Sequence, residues 1–359
     1  MYNKKILMIT NDINYSGSAK MLAYIANGLC DMGNRVIVYT YAGGKPYYPL
    51  NCNIEYIPAI KARKSYLDKM VYFLDINKVI RKKRPDAVVT FSPNSSVFSI
   101  LCTAFTRIPV IVCERCDPYT EKGFLLRFKR SIYNYAEGAV FQTEGAKKYY
   151  SKRLQKKSVV IGNPVTSCRI ERTPANKRNN DISFVGRFFV KQKRQDIMLK
   201  AFQKITAEND LVRLVFYGGG PDLPHIRQMA EQMNVSHKVC FMGEVGNILE
   251  AIKDTAVFVL TSDYEGIPNA LIEAMAVGLP VVVTDCSPGG ARLLVEDMVN
   301  GLLVPAGDVD KIAQAVLFML NNSDFADACG SKAQQITETY SSQKILQEWN
   351  EYIRKVMGK

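Results

Sequence analysis

Short apolar runs alternate with amphipathic segments along the whole chain. Residues 6–10 form an apolar run, and after a polar loop apolar side chains recur every three or four positions through 21–29. The next apolar run is 36–38, so the chain opens with a β-α-β pattern. Strands are predicted to follow at 87–89, 109–112, 139–141 and 159–161, and helices at 65–84, 97–105 and 124–135.

A second alternating series follows a polar, basic stretch at 165–180. Its strands are predicted at 182–185, 211–216, 238–242, 256–260 and 280–284. Strands that alternate with helices are typical of parallel sheets covered on both faces. The pattern therefore predicts an α/β protein with two doubly wound, Rossmann-like domains facing each other across a cleft.

The predicted domain boundaries follow from the same pattern. Residues 1–164 form the first domain, 165–180 a linker and 181–341 the second domain. A final amphipathic helix within 342–359 carries the only tryptophan. We expect this helix to pack back on the first domain.

The composition is that of a globular protein, with 47% hydrophobic and 23% charged residues among 359. The net charge of +13 divides unevenly, because residues 1–180 carry +18 and the rest carry −5. Such a basic half indicates an anionic partner. Nucleic acid is not expected, since no aromatic and basic reading module is visible. Helices 65–84 and 124–135 are basic, amphipathic and aromatic, which favours an anionic membrane surface.

Cysteine usage and the apolar runs predict the compartment. The nine cysteines are odd in number and irregularly spaced, which is typical of a reducing environment. The apolar run near the start is too short for a secretory signal, and no run approaches a membrane span. We therefore expect a cytoplasmic protein that binds peripherally to the inner face of the plasma membrane.

Polar and glycine residues cluster where strands of the second half end. Gly186-Arg187 follows the first strand, and Lys193 comes shortly after. Arginine and lysine side chains there suit a diphosphate. Gly218-Gly219-Gly220 follows the second strand, where glycine would let a ligand approach the backbone. Residues 287–291 form a further glycine turn and a second candidate cradle for phosphate or sugar.

The segment 262–275 is the most specific motif. Its strand ends at Leu260, and Pro268 suits the first position of a helix. The backbone N–H groups of residues 267, 269 and 270 would then be available to an anion or a polar ligand. Glu265 and Glu273 are spaced E-x7-E, so one carboxylate lies in the loop and the other on the helix.

Together these residues resemble glycosyltransferase family 4, also called the group 1 glycosyltransferases, which have the GT-B fold. The nearest likeness is to bacterial enzymes that build surface polysaccharides and lipid-linked oligosaccharides. The resemblance spans most of the chain. It includes the loop at Gly17, Asn163-Pro164, Gly186-Arg187 with Lys193, Gly218–Pro221, the segment 265–282 and residues 300–305.

The resemblance implies a retaining glycosyltransferase that needs neither metal nor cofactor. It would move a hexose or N-acetylhexosamine from a nucleoside diphosphate sugar, with UDP expected, to a saccharide or polyprenyl-diphosphate-linked acceptor. The pathway implied is surface polysaccharide or glycolipid biosynthesis. Arg187 and Lys193 would neutralise the leaving diphosphate, Glu265 would contact the sugar, and Glu273 would bind ribose. The donor-binding set is Gly186, Gly218, Gly219, Gly220, Gly266, Ile267, Pro268, Asn269, Ala270 and Glu273.

The acceptor side is less well defined. The family's N-terminal loop usually carries an acidic residue, which is missing here around Ser16 and Gly17. Many relatives also have a histidine after the strand at 109–113. At that place Arg115 could supply a cation, or Glu114 or Asp117 could meet the acceptor.

Two other functions are considered. A nucleotide-sugar epimerase shares this architecture but needs acid and base groups flanking the sugar, of which few are visible. A nucleic-acid-binding protein is suggested by charge alone. The two histidines lie away from the motifs, so a histidine triad or metal site is not expected. Asp308-Val309-Asp310 opens a predicted helix, which favours Asp308 as an N-cap over a metal ligand.

Overall fold

The computed structural model describes residues 3–13, 17–41, 44–59, 66–120, 123–165 and 171–358, except for the side chains of Tyr66 and Leu67. These residues form two compact units. The first comprises Met1–Asn163 and Gln343–Lys359, and the second comprises Pro164–Ser342. Each unit is built on one parallel sheet, so the predicted α/β class with two doubly wound sheets is confirmed.

The sheet of the first unit has the order β3-β2-β1-β4-β5-β6-β7. Its strands are β1 (Lys5–Thr10), β2 (Arg35–Thr40), β3 (Glu55–Pro58), β4 (Ala87–Thr90), β5 (Val110–Glu114), β6 (Gly138–Phe141) and β7 (Ser158–Val160). The central strands are buried on both faces, which explains their continuous runs of valine and isoleucine. Strands β2 and β3 are added on one side of β1 and strands β4 to β7 on the other, so the order of the strands switches between β1 and β4. Ligands of such sheets bind beyond the carboxyl ends of the strands at this point.

The helices of this unit are α1 (Gly17–Asp31), α2 (Tyr66–Lys83), α3 (Pro93–Thr103), α4 (Phe124–Ile132), α5 (Glu144–Lys148) and α6 (Lys152–Gln155). The crossovers that contain α2, α3 and α4 all advance in the same direction across the sheet. Because such crossovers are right-handed, these three helices lie on the same face of the sheet.

The last helix, α16 (Ser342–Met357), packs on the first unit through one buried stripe. Trp349 is fully buried and stacks on Phe91, with ring centroids 6.1 Å apart. The hydroxyl of Tyr352 accepts a hydrogen bond from the Ala139 N–H (2.9 Å) and donates one to the Lys157 carbonyl (2.5 Å). A side chain at Gly138 would meet this hydroxyl at 2.6 Å, so glycine is needed there.

The sheet of the second unit has the order β10-β9-β8-β11-β12-β13. Its strands are β8 (Asp181–Val185), β9 (Arg213–Tyr217), β10 (Val239–Gly243), β11 (Val257–Leu260), β12 (Val281–Asp285) and β13 (Leu302–Pro305). The helices are α7 (Val190–Lys193), α8 (Gln195–Glu208), α9 (Leu223–Gln232), α10 (Ile248–Ile252), α11 (Asn269–Ala276), α12 (Gly290–Leu294), α13 (Val309–Asn321), α14 (Ser323–Ala333) and α15 (Ile336–Thr339). The apolar pattern did not predict β3 or β13. Both are four-residue edge strands. Strand β3 is partly exposed and has a weak apolar signal, whereas β13 is the apolar run Leu302–Pro305 that follows directly on the Asn300-Gly301 turn.

The described part of the predicted linker, residues 171–180, is tied to the second unit by arginines. Arg172 pairs with Asp327, with its Nη2 3.0 Å from Oδ2. The Arg178 guanidinium donates to the Gly278 carbonyl at 2.8 Å. Residues 171–180 are therefore packed against the second unit by side-chain hydrogen bonds. Residues 166–170 lie outside the described ranges.

We predict that Tyr352→Phe lowers the free energy of unfolding by about 1–3 kcal/mol, because it leaves the buried Ala139 N–H without its partner. Urea titration measures the change. Tyr135→Phe is the matched control, since Tyr135 is 68% exposed, and it should change stability by less than about 0.5 kcal/mol. Equal effects of the two substitutions would contradict the proposed role of the Tyr352 hydroxyl.

Candidate functional site

Two glycine-containing loops lie side by side at the carboxyl ends of β8 and β9. The N–H of Gly186 donates to the Tyr217 carbonyl at 3.0 Å, and that of Phe188 donates to the Gly219 carbonyl at 2.9 Å. A Cβ at Gly218 or at Gly220 would lie 2.4 Å from a carbonyl oxygen of the neighbouring loop, and both residues have positive φ. The packing of the two loops therefore requires glycine at both positions. The sequence alone indicates a different reason for these glycines, namely the approach of a ligand to the backbone.

The short helix α7 is fastened to the loop that follows β11. Thr261 Oγ1 donates to the Lys193 carbonyl at 3.0 Å. Arg194, whose φ is +53°, binds Asp196 (3.0 Å) and Asp263 (2.8 Å). Hydrogen bonds to these two carboxylates hold the pKa of Arg194 above its ordinary value. The Arg194 side chain is therefore occupied by two carboxylates of its own unit, and these contacts fix the backbone next to Lys193.

This arrangement brings Lys193 and Glu265 into direct contact. Lys193 Nζ binds Glu265 Oε1, and the two side chains are only 14% and 8% exposed. Ser262 Oγ donates to the same oxygen at 2.8 Å, and Gln192 Nε2 approaches Oε2 at 3.4 Å. Because an ammonium has three donors, Lys193 can hold Glu265 and still donate to a ligand oxygen.

The backbone of Glu265 is held by the turn that follows β12. The Glu265 N–H donates to the Ser287 carbonyl at 2.8 Å. A Cβ at Gly290 would lie 1.7 Å from the Gly266 carbonyl oxygen, so only glycine allows this approach. Beneath the turn, burial and the charge of Glu265 raise the pKa of the Cys286 thiol to about 12. The glycine turn at 287–291 thus supports the Glu265 loop.

The remaining donor-side residues lie around this pair in the same unit. Helix α11 begins at Asn269, one residue later than predicted, with Pro268 as its N-cap. Ile267 and Pro268 are buried, whereas Gly266, Asn269, Ala270 and Glu273 are half-buried. Arg187 is exposed, and its carbonyl accepts from Gln195 Nε2 at 2.9 Å.

Sequence reasoning missed the two side chains that complete the Glu265 environment. Ser262 lies in the motif itself, three residues before Glu265, and Gln192 directly precedes Lys193. Each is a polar neighbour of a predicted site residue at a strand end or helix turn. That position was the available signal.

On the first unit, Glu114 is committed to an internal network. It ends β5, is 5% exposed, and its Oε2 lies 3.4 Å from Arg130 Nε. Tyr150 donates a hydrogen bond to the same oxygen, and Arg130 also donates to the Pro118 carbonyl at 3.0 Å. Of the three acceptor candidates after β5, Glu114 is therefore the least available to a ligand.

Arg115 and Asp117 retain unused hydrogen-bonding atoms. Arg115 Nη2 donates to Asn163 Oδ1 at 2.7 Å, but its Nε and Nη1 are buried without a partner among the described residues. Burial lowers the pKa of Arg115 to about 10. Asp117 Oδ1 accepts from the Tyr119 N–H at 2.9 Å, and its buried Oδ2 has no partner in the described ranges. Gly17 is exposed at the start of α1, and Ser16 lies outside the described residues.

Three further features concern Asp308, metal-binding side chains and membrane-spanning helices. Asp308 caps α13 by accepting from the Lys311 N–H at 3.0 Å, which confirms the predicted N-cap. Over the part of the chain that the structure describes, no three His, Cys, Asp or Glu side chains are grouped as a metal ion would require. In the same ranges, no helix combines the length and the apolar character needed to cross a bilayer.

Comparison with known families finds a match in each half of the chain. Residues 15–167 match the model of Glycosyltransferase Family 4, and residues 179–322 match that of Glycosyl transferases group 1. Together the two models cover most of the chain.

Curated relatives and solved structures align over almost the full length. An alpha-1,4-N-acetyl-D-galactosaminyltransferase of Campylobacter jejuni, which acts on a diNAcBac-PP-undecaprenol-linked saccharide, is 22% identical over 98% of this chain and 99% of its own. The amylovoran biosynthesis glycosyltransferase AmsD of Erwinia amylovora is 24% identical over 97% and 99%. The crystal structure of Anabaena HepE with UDP-glucose has a TM-score of 0.83 at 17% identity, over 98% and 100%. The last likeness shows the GT-B fold.

We predict that Gly290→Ala destabilises the second unit by about 3 kcal/mol, because the new methyl group would overlap the Gly266 carbonyl and force the backbone apart. Thermal and urea unfolding measure the loss. Gly246→Ala is the matched control, since nothing lies within 4 Å of its added methyl group. If Gly290→Ala unfolds like Gly246→Ala, the close approach of the two loops is wrong.

Proposed function

Because the chain belongs to glycosyltransferase family 4, we propose that it transfers a hexose or N-acetylhexosamine from a nucleoside diphosphate sugar, with retention of configuration. The acceptor is a saccharide or a polyprenyl-diphosphate-linked saccharide in surface polysaccharide or glycolipid assembly. The Campylobacter and Erwinia relatives support this class of acceptor and pathway. The observation that carries the proposal is the buried Lys193–Glu265 pair, whose lysine side chain lies against Gly186.

The leaving diphosphate receives its stabilisation from two cations. Lys193 donates one N–H to Glu265 and directs another to a phosphate oxygen. The exposed guanidinium of Arg187 can bind phosphate with two parallel hydrogen bonds. Charge that develops on the leaving group is thereby met by groups already in place, which lowers the barrier to transfer. In this scheme the chain's own cations take the role that a divalent metal plays in other transferases.

The carboxylates address hydroxyl groups of the donor. Glu265 Oε1 is occupied by Lys193 and Ser262, whereas among the described residues Oε2 has only the long contact from Gln192. Oε2 is therefore the oxygen that accepts from the sugar. Glu273, half-buried on α11, binds the ribose hydroxyls of the nucleotide. The likeness to a UDP-glucose complex supports uridine as the base.

Arg115 and Asp117 contact the acceptor. Their buried atoms that lack a partner in the described ranges offer both donors and an acceptor for hydrogen bonds, which suits a polar saccharide or phosphate group. Glu114 instead fixes the loop that carries them through Arg130 and Tyr150.

We predict that Lys193→Ala lowers kcat by about 10²–10³-fold, because it removes stabilisation of the leaving diphosphate. Release of the nucleoside diphosphate over a panel of donor sugars measures the rate. The double variant Lys193→Ala/Glu265→Gln should be equally slow, and it avoids leaving Glu265 as an unpaired buried charge. Lys204→Ala is the control, since Lys204 is 53% exposed and pairs with Asp310 at the surface.

Two outcomes would contradict the donor assignment. Full activity of Lys193→Ala would show that Lys193 does not stabilise the leaving diphosphate. Epimerisation of the nucleotide sugar in the absence of any acceptor would replace transfer by the alternative chemistry.

We predict that Arg115→Gln raises the KM for a polyprenyl-diphosphate-linked saccharide by at least about tenfold, the loss expected for a charged hydrogen bond. UDP affinity, measured by calorimetry, should not change. The melting temperature should fall only slightly, because the lost Nη2 hydrogen bond leaves Asn163 Oδ1 with a second donor, Gln142 Nε2 at 2.9 Å. Arg153→Gln, at an exposed site of the same unit, is the control. An unchanged acceptor KM in Arg115→Gln would exclude this contact.

A further inference from the structure

Large apolar side chains are exposed on three helices of the first unit and on the turn after α3. Phe105 is completely exposed and Phe124 is 86% exposed. Globular proteins rarely leave aromatic side chains so open unless a partner or a membrane covers them. We call this set of residues the apolar face: Met70, Leu74, Leu101, Phe105, Phe124 and Phe128.

The three helices form one continuous layer. The same-direction crossovers place α2, α3 and α4 on one face of the sheet. Phe73 of α2 meets Phe98 of α3 with ring centroids 5.8 Å apart, and its carbonyl accepts from Cys102 Sγ at 3.7 Å. Lys129 of α4 donates to Asn94 of α3 at 2.7 Å. The exposed apolar residues of all three helices therefore share a surface.

Among the described residues of α2, α3, α4 and the turn after α3, the exposed charged side chains are all basic. They include Lys69, Lys78, Arg107 and Arg127. Helix α4 has no acidic residue, and its Arg130 is turned inward to Glu114. The two acids of α2 are set inward, with Asp68 buried and Asp75 half-buried. An apolar surface surrounded by cations is complementary to a bilayer with anionic headgroups.

We propose that the apolar face is the surface through which this protein docks on an anionic membrane. Phe105, Phe124 and Phe128 enter the interfacial region of the bilayer, and the surrounding lysines and arginines contact the headgroups. This deepens the proposed function, on which it rests for the lipid-linked acceptor. The charge pattern of the sequence pointed to α2 and α4. The contribution of Leu101 and Phe105 is new, because α3 is uncharged and carried no such signal.

A tryptophan scan tests insertion directly. The single native tryptophan, Trp349, is fully buried and gives a constant background. The fluorescence of the new tryptophan in Phe105→Trp and in Phe124→Trp should be quenched by brominated lipid in vesicles of phosphatidylcholine and phosphatidylglycerol. Leu211→Trp, at a site of the second unit that is 75% exposed, should not be quenched. Absence of quenching at residue 105, or equal quenching at 211, would overturn the proposal.

Affinity gives the second measurement. Phe105→Ser/Phe124→Ser should weaken binding to these vesicles at least about tenfold, as expected when two aromatic side chains no longer leave water. Leu211→Ser should bind like the unmodified protein. Vesicle binding by the double variant with the affinity of the unmodified protein would overturn the proposal. A solution dimer that the double variant abolishes would also overturn it, because a second copy of the chain would then cover the apolar face.

The vesicle assays contain neither donor nor acceptor, so they are independent of catalysis. A protein that binds vesicles through the apolar face but does not bind UDP would contradict the proposed function alone. A protein that binds UDP and transfers sugar, yet shows no insertion at residue 105, would contradict the docking surface alone.

Discussion

A buried lysine–glutamate pair organises the ligand-binding edge of the second unit. Burying two charges costs more than their attraction returns unless further hydrogen bonds satisfy both groups. Here Ser262 and Gln192 supply these bonds to Glu265. The pair can exist only because three strand-end loops are held in contact, so most other features of this edge serve that contact.

The glycines and Arg194 are the means by which the loops approach. Gly290 allows backbone contact that any side chain would block, and Gly218 and Gly220 do the same between the first two loops. Arg194 binds carboxylates on both sides of it and fixes Lys193 by its backbone. The motif residues that look like ligand contacts in a sequence are therefore partly the frame that positions Lys193 and Glu265.

The two units divide the work by their chemistry. The second unit has many acidic residues yet places Arg187 and Lys193 where a diphosphate can lie. The first unit holds the excess of positive charge, together with the exposed aromatic residues of α4 and of the turn after α3. In the loop after β5, Arg115 and Asp117 keep buried polar atoms that have no partner among the described residues. This distribution fits a soluble donor on one unit and an acceptor carried at a charged surface on the other.

Local patterns were enough to predict the α/β class, most strands and the family, because strand period, glycine turns and the E-x7-E spacing are encoded by neighbouring residues. The same patterns single out Lys193 and Glu265 as candidate site residues. Tertiary structure alone decided which groups meet. It paired Lys193 with Glu265 and placed Glu114 and Arg194 in internal networks. It left two nitrogens of Arg115 without a partner among the described residues. It also joined Phe105 to the basic helices, because packing brings distant helices together and exposure depends on what the whole fold covers.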